Sequence, residues 1–303
     1  MEEKKSQGYD QAVRVLPLRL RQEAMALPTE QRARVEELRL RWGRPMAAVL
    51  PEGERPLGGE PVTGQELEQL LELASRASFH TVADQLRRGY LTVEGGHRVG
   101  LCGTAVVRDG ELRGLRRLSS AAVRVARQAV GAARPVSDRL VRREGTLYST
   151  LILAPPGAGK TTLLRDLIRA ASDGEGMAPQ RVGVADERGE VAALWNGRPQ
   201  LEVGARTDVL EGCPKALALM LLLRSMNPQV LAADEITAPE DVRALISAAG
   251  CGTALLATAH GWDRRDLEER PLYRELMAAG VFRRLVLIRR EGERRRYEVE
   301  ELP

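Results

Sequence analysis

Leu-Ile-Leu-Ala-Pro-Pro-Gly-Ala-Gly-Lys-Thr-Thr, residues 151–162, decides the fold of this 303-residue chain. An apolar segment leads through a glycine-bearing turn into Leu-Leu-Arg-Asp-Leu-Ile-Arg at 163–169, which predicts a strand, a turn and a helix in that order. This is the pattern of a P-loop, where backbone N–H groups and the start of the helix hold phosphate groups. The stretch therefore predicts a nucleoside triphosphate site.

Each residue type in this loop has a predicted task. Gly157 and Gly159 allow the backbone to wrap around phosphates with its N–H groups pointing inward. Lys160 would contact the β- and γ-phosphates, and Thr161 would hold Mg²⁺. ATP and Mg²⁺ are therefore the expected cofactors. The predicted cofactor-binding residues are Pro155, Pro156, Gly157, Ala158, Gly159, Lys160, Thr161 and Thr162.

Two details bear on the P-loop prediction. Ala154 stands where the pattern has its first glycine, so the opening turn must form with a Cβ present. Lysine is rare here, since only four of the 46 basic residues are lysine, and Lys160 is one of them. A flexible ammonium suits phosphate at that position, which we expect on an exposed loop. The alternative is a tight turn between a strand and a helix that resembles a P-loop by chance.

The composition is that of a globular protein with two domains, at 43% hydrophobic and 29% charged residues. The longest apolar run, 216–223, is far shorter than the ~20 residues that cross a bilayer. The amino terminus has no apolar signal segment, so we expect a cytoplasmic protein, peripheral to a membrane only through partners. Acids and bases are mixed, and 3% aromatic residues provide no stacking surface, which argues against nucleic acid as a partner.

The first half predicts a smaller α+β domain at 1–133, and the second half an ATPase domain at 134–303. Amphipathic helices are predicted at 64–78 and 80–88. From Tyr90 the apolar period changes to two, with Gly-Gly and Asp-Gly turns, which predicts a β-meander.

The second half alternates apolar strands with helices, which predicts a parallel sheet with helices on both faces. The last two segments are predicted to form a hairpin, and its arginines around 289–296 are ascribed to solvation rather than to nucleic-acid contact. The predicted strands are 147–153, 181–185, 229–233, 253–257, 285–288 and 296–299.

Polar residues follow these predicted strands, and ligands of open α/β sheets bind beyond the carboxyl ends of strands. Asp234 suits Mg²⁺ coordination, and Glu235 suits orientation or deprotonation of an attacking water. Glu187 is the competing candidate for that base. Thr258 and His260 are candidate contacts of the γ-phosphate.

Several segments resemble the secretion and pilus-retraction ATPases. Leu-Leu-Leu-Arg-Ser-Met-Asn-Pro-Gln-Val-Leu-Ala-Ala-Asp-Glu-Ile at 221–236 and Leu-Leu-Ala-Thr-Ala-His-Gly at 255–261 are similar to their Walker B and histidine boxes. Asp-Glu-Arg at 186–188 is similar to their acidic box. Within that superfamily, segments 89–103 and 204–215 resemble the stage III sporulation protein AA family.

The resemblance implies a RecA-like P-loop NTPase domain with a parallel sheet, preceded by the smaller α+β domain. It also implies a homo-oligomer, as a hexamer, that works with membrane-embedded channel proteins of a secretion-like complex during endospore formation.

Phosphoryl transfer gains from an arginine that stabilises developing charge, yet Arg188 is the only arginine in the predicted motifs at the strand ends. We therefore expect a neighbouring subunit to complete the site in a closed ring. Arg206 is the candidate in segment 204–215, and further candidates in the meander are Arg98, Arg116, Arg117 and Arg124.

Two other functions remain open from the sequence alone. One is a nucleic-acid-dependent RecA-like ATPase, which shares the sheet and the acidic motifs. The other is a nucleotide-gated assembly protein that binds ATP and hardly hydrolyses it.

Overall fold

The computed structural model describes residues 2–75, 89–291 and 294–303. Contacts within the chain define two compact units, the first formed by 1–127 with 193–200 and the second by 128–192 with 201–303. The helix predicted at 80–88 lies outside the described residues. The separate domains predicted at 1–133 and 134–303 stay a prediction.

The first unit combines helices with a six-stranded antiparallel sheet, of order β3-β2-β1-β6-β5-β4, and a separate two-stranded hairpin of β9 and β10. Its helices are α1 (Glu2–Ala12), α2 (Leu18–Met25), α3 (Thr29–Arg32) and α4 (Gly64–Ala74), with 3₁₀ turns at Val13–Val15 and Glu94–Gly96. Its strands are β1 (Glu37–Arg41), β2 (Pro45–Leu50), β3 (Gly53–Pro61), β4 (Tyr90–Thr92), β5 (Arg98–Arg108), β6 (Glu111–Arg124), β9 (Leu194–Trp195) and β10 (Arg198–Pro199).

Alternation along the strands of this sheet separates a buried face from an exposed one. Leu38 and Leu40 of β1 are fully buried, whereas Arg39 between them is exposed. The predicted meander is confirmed, because β5 pairs with both β4 and β6 in antiparallel register. Strands β2 and β3 were not predicted, because β2 is a short apolar run without alternation and β3 contains two prolines and three glycines.

The second unit contains a seven-stranded sheet of order β11-β8-β12-β13-β7-β14-β15. Its strands are β7 (Thr150–Ala154), β8 (Val182–Asp186), β11 (Thr207–Glu211), β12 (Val230–Ala233), β13 (Ala254–His260), β14 (Arg284–Glu291) and β15 (Arg294–Glu301). Its helices are α5 (Ser137–Leu140), α6 (Lys160–Asp173), α7 (Lys215–Met226), α8 (Pro239–Gly250), α9 (Arg264–Glu269) and α10 (Pro271–Ala278).

The predicted parallel sheet and its terminal hairpin are confirmed. Neighbouring strands from β11 to β14 run parallel, and β15 returns antiparallel to β14. The central strands β7, β8 and β12 are buried at every position, which explains their continuous apolar sequences. Segment 204–215, for which no strand was predicted, contains the edge strand β11. Its residues are all half-buried, so its sequence lacks an apolar run.

Helix α7 carries the longest apolar run of the sequence, and Leu219 and Leu222 on it pack into the core beside the sheet. Among the residues that the structure describes, no helix is long and apolar enough to cross a membrane.

Candidate functional site

The pairing of neighbouring strands in the parallel sheet brings the predicted site residues close together. Ala185 of β8 pairs with Ala233 of β12, and Ala233 pairs with Ala257 of β13. His260, the last residue of β13, pairs with Ala154, the last residue of β7. The carboxyl ends of four strands therefore lie side by side, which brings the acidic motifs and the histidine to the P-loop.

The loop between β7 and α6 has the backbone of a phosphate cradle. Gly157 and Gly159 have φ angles of 73° and 104°, in the left-handed region that favours glycine. Ala154 is still within the extended strand β7, so its Cβ does not disturb the turn that follows. The departure from the glycine pattern at this position is therefore accommodated.

Lys160 begins α6 and is buried, with 7% of its surface exposed. The expectation of an exposed lysine is wrong, because the loop folds over its side chain. Its Nζ donates hydrogen bonds to the carbonyl oxygens of Ala154, at 2.9 Å, and Pro155, at 3.1 Å. It also lies 2.9 Å from Nδ1 of His260. Burial lowers the pKa of the Lys160 ammonium, while Asp234 and Glu235 oppose that shift.

The two residues predicted to hold Mg²⁺ are in direct contact. The Thr161 hydroxyl donates to Oδ2 of Asp234 at 2.6 Å. The other carboxylate oxygen of Asp234 accepts from the Thr258 hydroxyl, also at 2.6 Å. Thr258 is fully buried, so it orients Asp234, whereas the sequence suggested a phosphate contact.

Glu235 is held through both its side chain and its backbone. Its Oε2 accepts from Arg188 at 2.7 Å, and its Oε1 contacts Nε2 of His260. Its backbone N–H donates to Thr258 Oγ1 at 2.7 Å. The φ angle of Glu235 is 55°, which costs about 1–3 kcal/mol for a residue with a side chain. These contacts hold Glu235 in its strained backbone conformation next to Lys160.

The acidic pair after β8 has a different arrangement. Asp186 is buried and accepts hydrogen bonds from the backbone N–H groups of Glu190, Val191 and Ala192, so it shapes the following turn. Burial raises the pKa of Asp186, and these hydrogen bonds oppose the shift. Glu187 is half-exposed and lies 3.6 Å from Lys215.

Lys215 is a residue of this region to which the sequence analysis gave no role. It is 5% exposed, and its Nζ donates to the carbonyl oxygen of Glu235 at 2.5 Å. Its Nζ also lies 3.5 Å from Oδ2 of Asp241, a buried carboxylate that accepts from the N–H groups of Thr237 and Ala238. The scarcity of lysine was the available signal. Lys215 therefore supports the backbone turn that presents Glu235.

We expect Lys215→Met to lower the free energy of unfolding by about 3 kcal/mol, because it leaves the Asp241 carboxylate buried without its cation. Urea unfolding measures this change. Arg243→Ala is the matched control, since it breaks an exposed pair with Glu240 on α8 and should cost less than about 1 kcal/mol. Equal losses in the two variants would contradict a supporting role for Lys215.

Arg206 is not brought to the P-loop within this chain. It precedes β11, and its backbone N–H and guanidinium bind the hydroxyl and the carbonyl of Ser172 near the end of α6. That position is at the amino end of β11, whereas the predicted site lies at the carboxyl ends of the strands. A role for Arg206 in the site of a neighbouring subunit stays a prediction.

A cavity of about 480 Å³ lies over the P-loop. Its lining includes most of the predicted cofactor-binding residues together with Glu235, but Pro155, Ala158 and Glu187 do not line it. The lining residues are Pro156, Gly157, Gly159, Lys160, Thr161, Thr162, Arg188, Glu190, Asp234, Glu235, His260 and Arg295.

The residues present fit a magnesium nucleotide. The glycine backbone and Lys160 would provide phosphate contacts, and the adjacent oxygens of Thr161 and Asp234 are ligands of the kind that Mg²⁺ prefers. Across the described parts of the chain, no cluster of three or more His, Cys, Asp or Glu forms a metal site. Mg²⁺ takes one or two protein carboxylates and fills its shell with phosphate and water.

Solved structures with this architecture include an ATPase and a pilus retraction motor. The Legionella pneumophila ATPase DotB matches with a TM-score of 0.55 and 16% identity, over 88% of this chain and 76% of DotB. The pilus retraction motor PilT with bound ADP matches with a TM-score of 0.59 and 16% identity, over 89% of this chain and 80% of PilT. The chain therefore has the RecA-like fold of secretion ATPases, preceded by an N-terminal domain.

Sequence comparison identifies the family within that fold class. A family model described as "Sporulation stage III, protein AA" matches residues 3–299. Stage III sporulation protein AA of Bacillus subtilis (strain 168) is 39% identical over 286 residues, which are 92% of this chain and 90% of that protein. The chain belongs to the stage III sporulation protein AA family.

Proposed function

We propose that this chain is an ATP-hydrolysing motor that powers or assembles a secretion-like channel during endospore formation. The observation that carries the proposal is the contact between Thr161 and Asp234 beside the P-loop, in a cavity that Glu235 also lines. Phosphate contacts, metal ligands and a carboxylate for the attacking water are thus available together, as phosphoryl transfer requires.

Each residue has a distinct role in the proposed reaction. The backbone of Gly157 and Gly159 and the ammonium of Lys160 bind the phosphates. Thr161 and Asp234 would hold Mg²⁺, which neutralises charge on the phosphate oxygens when it is bound. Glu235 orients the attacking water and accepts its proton, while His260 and Arg188 hold the Glu235 carboxylate. Glu187 is the weaker candidate for the base, because it does not line the cavity.

The partners are proposed from the family and the fold. Membership in a sporulation family and a fold shared with DotB and PilT support membrane-embedded channel proteins as partners. We place the chain in the cytoplasm, peripheral to the membrane through these partners.

The experiment that tests this function is ATP turnover by the purified chain with Mg²⁺, measured alone and with single-stranded DNA. The motor requires turnover that DNA does not stimulate, whereas strong stimulation by DNA would favour the nucleic-acid-dependent alternative. ATP binding without turnover, with wild type and Glu235→Gln equally inactive, would favour the gated assembly protein.

We expect the ATPase activity per subunit to rise with protein concentration, because a ring of six subunits would complete each site across a subunit boundary. Sedimentation with and without ATP and Mg²⁺ measures assembly under the same conditions. Mixing Lys160→Ala with Arg206→Ala should restore some activity, since each inactive variant supplies the group that the other lacks. Specific activity that stays constant in a monomeric preparation would contradict the ring.

A further inference from the structure

Arg295 lies at the P-loop although it is far from the P-loop in the sequence. It belongs to β15, the second strand of the terminal hairpin, and it lines the same cavity as Lys160 and Glu235. From the sequence alone, the arginines of this hairpin were ascribed to solvation. Because β14 pairs with β7, the hairpin is attached to the strand that leads into the P-loop, and this places Arg295 at the cavity.

The guanidinium of Arg295 lies against Gly159. A Cβ placed on Gly159 would be 2.7 Å from Cζ, 2.9 Å from Nε and 3.0 Å from one terminal nitrogen of Arg295. Real Cβ atoms do not approach other atoms so closely, so the missing side chain at Gly159 creates the space that the guanidinium occupies. Gly159 is also the residue before α6, where the N–H groups at the start of the helix attract anions.

The three cationic side chains of the cavity differ in their partners. Arg188 is paired with Glu235, and Lys160 donates to two carbonyl oxygens of the loop. Within the described residues, no hydrogen bond or ion pair holds the guanidinium of Arg295. Its donors are thus available at the phosphate cradle, in the planar arrangement that matches phosphate oxygens in pairs.

We propose that Arg295 is a phosphate-binding residue of the nucleotide site. Its guanidinium, lying over Gly159, donates hydrogen bonds to the phosphate chain of the bound nucleoside triphosphate. This inference rests on the proposed function, since it assigns a further residue to the same site. It also provides the site with an arginine from the same chain, in addition to any that a neighbouring subunit supplies.

The test compares variants of Arg295 with one of its neighbour on the same strand. Arg296 is exposed on the opposite face of β15 and lies 3.6 Å from Glu298, so Arg296→Ala removes the same charge away from the cavity. ATP affinity is measured by titration calorimetry on the full chain with Mg²⁺. Thermal melting of each variant verifies that the fold is retained.

We expect Arg295→Ala to weaken ATP binding about tenfold or more, as for the loss of a hydrogen bond between charged groups. Arg295→Lys should recover part of the affinity, because the ammonium keeps the charge without the planar pair of donors. Arg296→Ala should change the affinity less than about twofold, because its charge lies on the opposite face of the strand and does not line the cavity.

The possible failures are distinguishable. If the wild type binds ATP and Arg295→Ala binds it as tightly as Arg296→Ala does, Arg295 is not a phosphate ligand and only this inference is overturned. If the wild type binds no ATP, the proposed function itself is overturned, and the role of Arg295 is overturned with it.

Discussion

Lys160→Ala is expected to reduce ATP affinity by about 100-fold or more, which amounts to a loss of binding at ordinary concentrations. Of the described residues that line the cavity, Lys160 is the one lysine, and alanine would leave bound phosphates without its ammonium. Titration calorimetry with ATP and Mg²⁺ measures the loss. Near-wild-type affinity in this variant would contradict a P-loop function for residues 151–162.

The same substitution affects stability, because Lys160 is buried. Removing the amine leaves the carbonyl oxygens of Ala154 and Pro155 without that donor, so we expect unfolding to become easier by about 1–3 kcal/mol. Urea unfolding separates this cost from the loss of affinity. Arg181→Ala is the control, since Arg181 is an exposed cation at the amino end of β8, away from the P-loop. This substitution should leave ATP binding unchanged.

Glu235→Gln is expected to keep ATP and Mg²⁺ bound while slowing hydrolysis by roughly 10²- to 10⁴-fold, as for the loss of a general base. Glutamine has the same shape as glutamate but cannot accept the proton of the attacking water. Single-turnover kinetics and a separate binding titration measure the two quantities.

Glu187→Gln is the matched comparison for this prediction, because it changes the other candidate carboxylate in the same way. Glu187 does not line the cavity, so its variant should hydrolyse ATP at nearly the wild-type rate. Asp234→Asn should instead weaken Mg²⁺ binding. If Glu187→Gln is slow and Glu235→Gln is not, the two acidic motifs exchange their assigned roles.

The sequence predicted the parts of the fold whose pattern is local. The strands of the second unit are apolar because both faces of the sheet are covered, and the polar residues that follow them gave the position of the site. Strand β11 was missed because it is half-buried at the edge of the sheet and contains polar residues. Strand β3 was missed because an edge strand tolerates proline and glycine, which are typical of turns.

Only the site residues that belong to local sequence motifs were predicted. Asp234 and Glu235 were found because they follow an apolar strand, and His260 because it comes at the end of one. Lys215 and Arg295 were not found, because their roles depend on how distant segments pack. The contact of Arg295 with Gly159 depends on the pairing of β14 with β7, which no local pattern specifies.

The position of Lys160 beside His260 determines which form of the imidazole is present. An ammonium has only protons to offer, so Nδ1 of His260 must accept, and the single proton of the neutral ring then resides on Nε2, facing Glu235. Lys160 thereby selects the tautomer that donates to Glu235, the carboxylate proposed to activate water. When Lys160 is replaced, the opposite tautomer becomes accessible, and Glu235 then faces a lone pair in place of a proton. The two motifs therefore form one hydrogen-bonded unit, in which a change at Lys160 alters which group of the imidazole faces the Glu235 carboxylate.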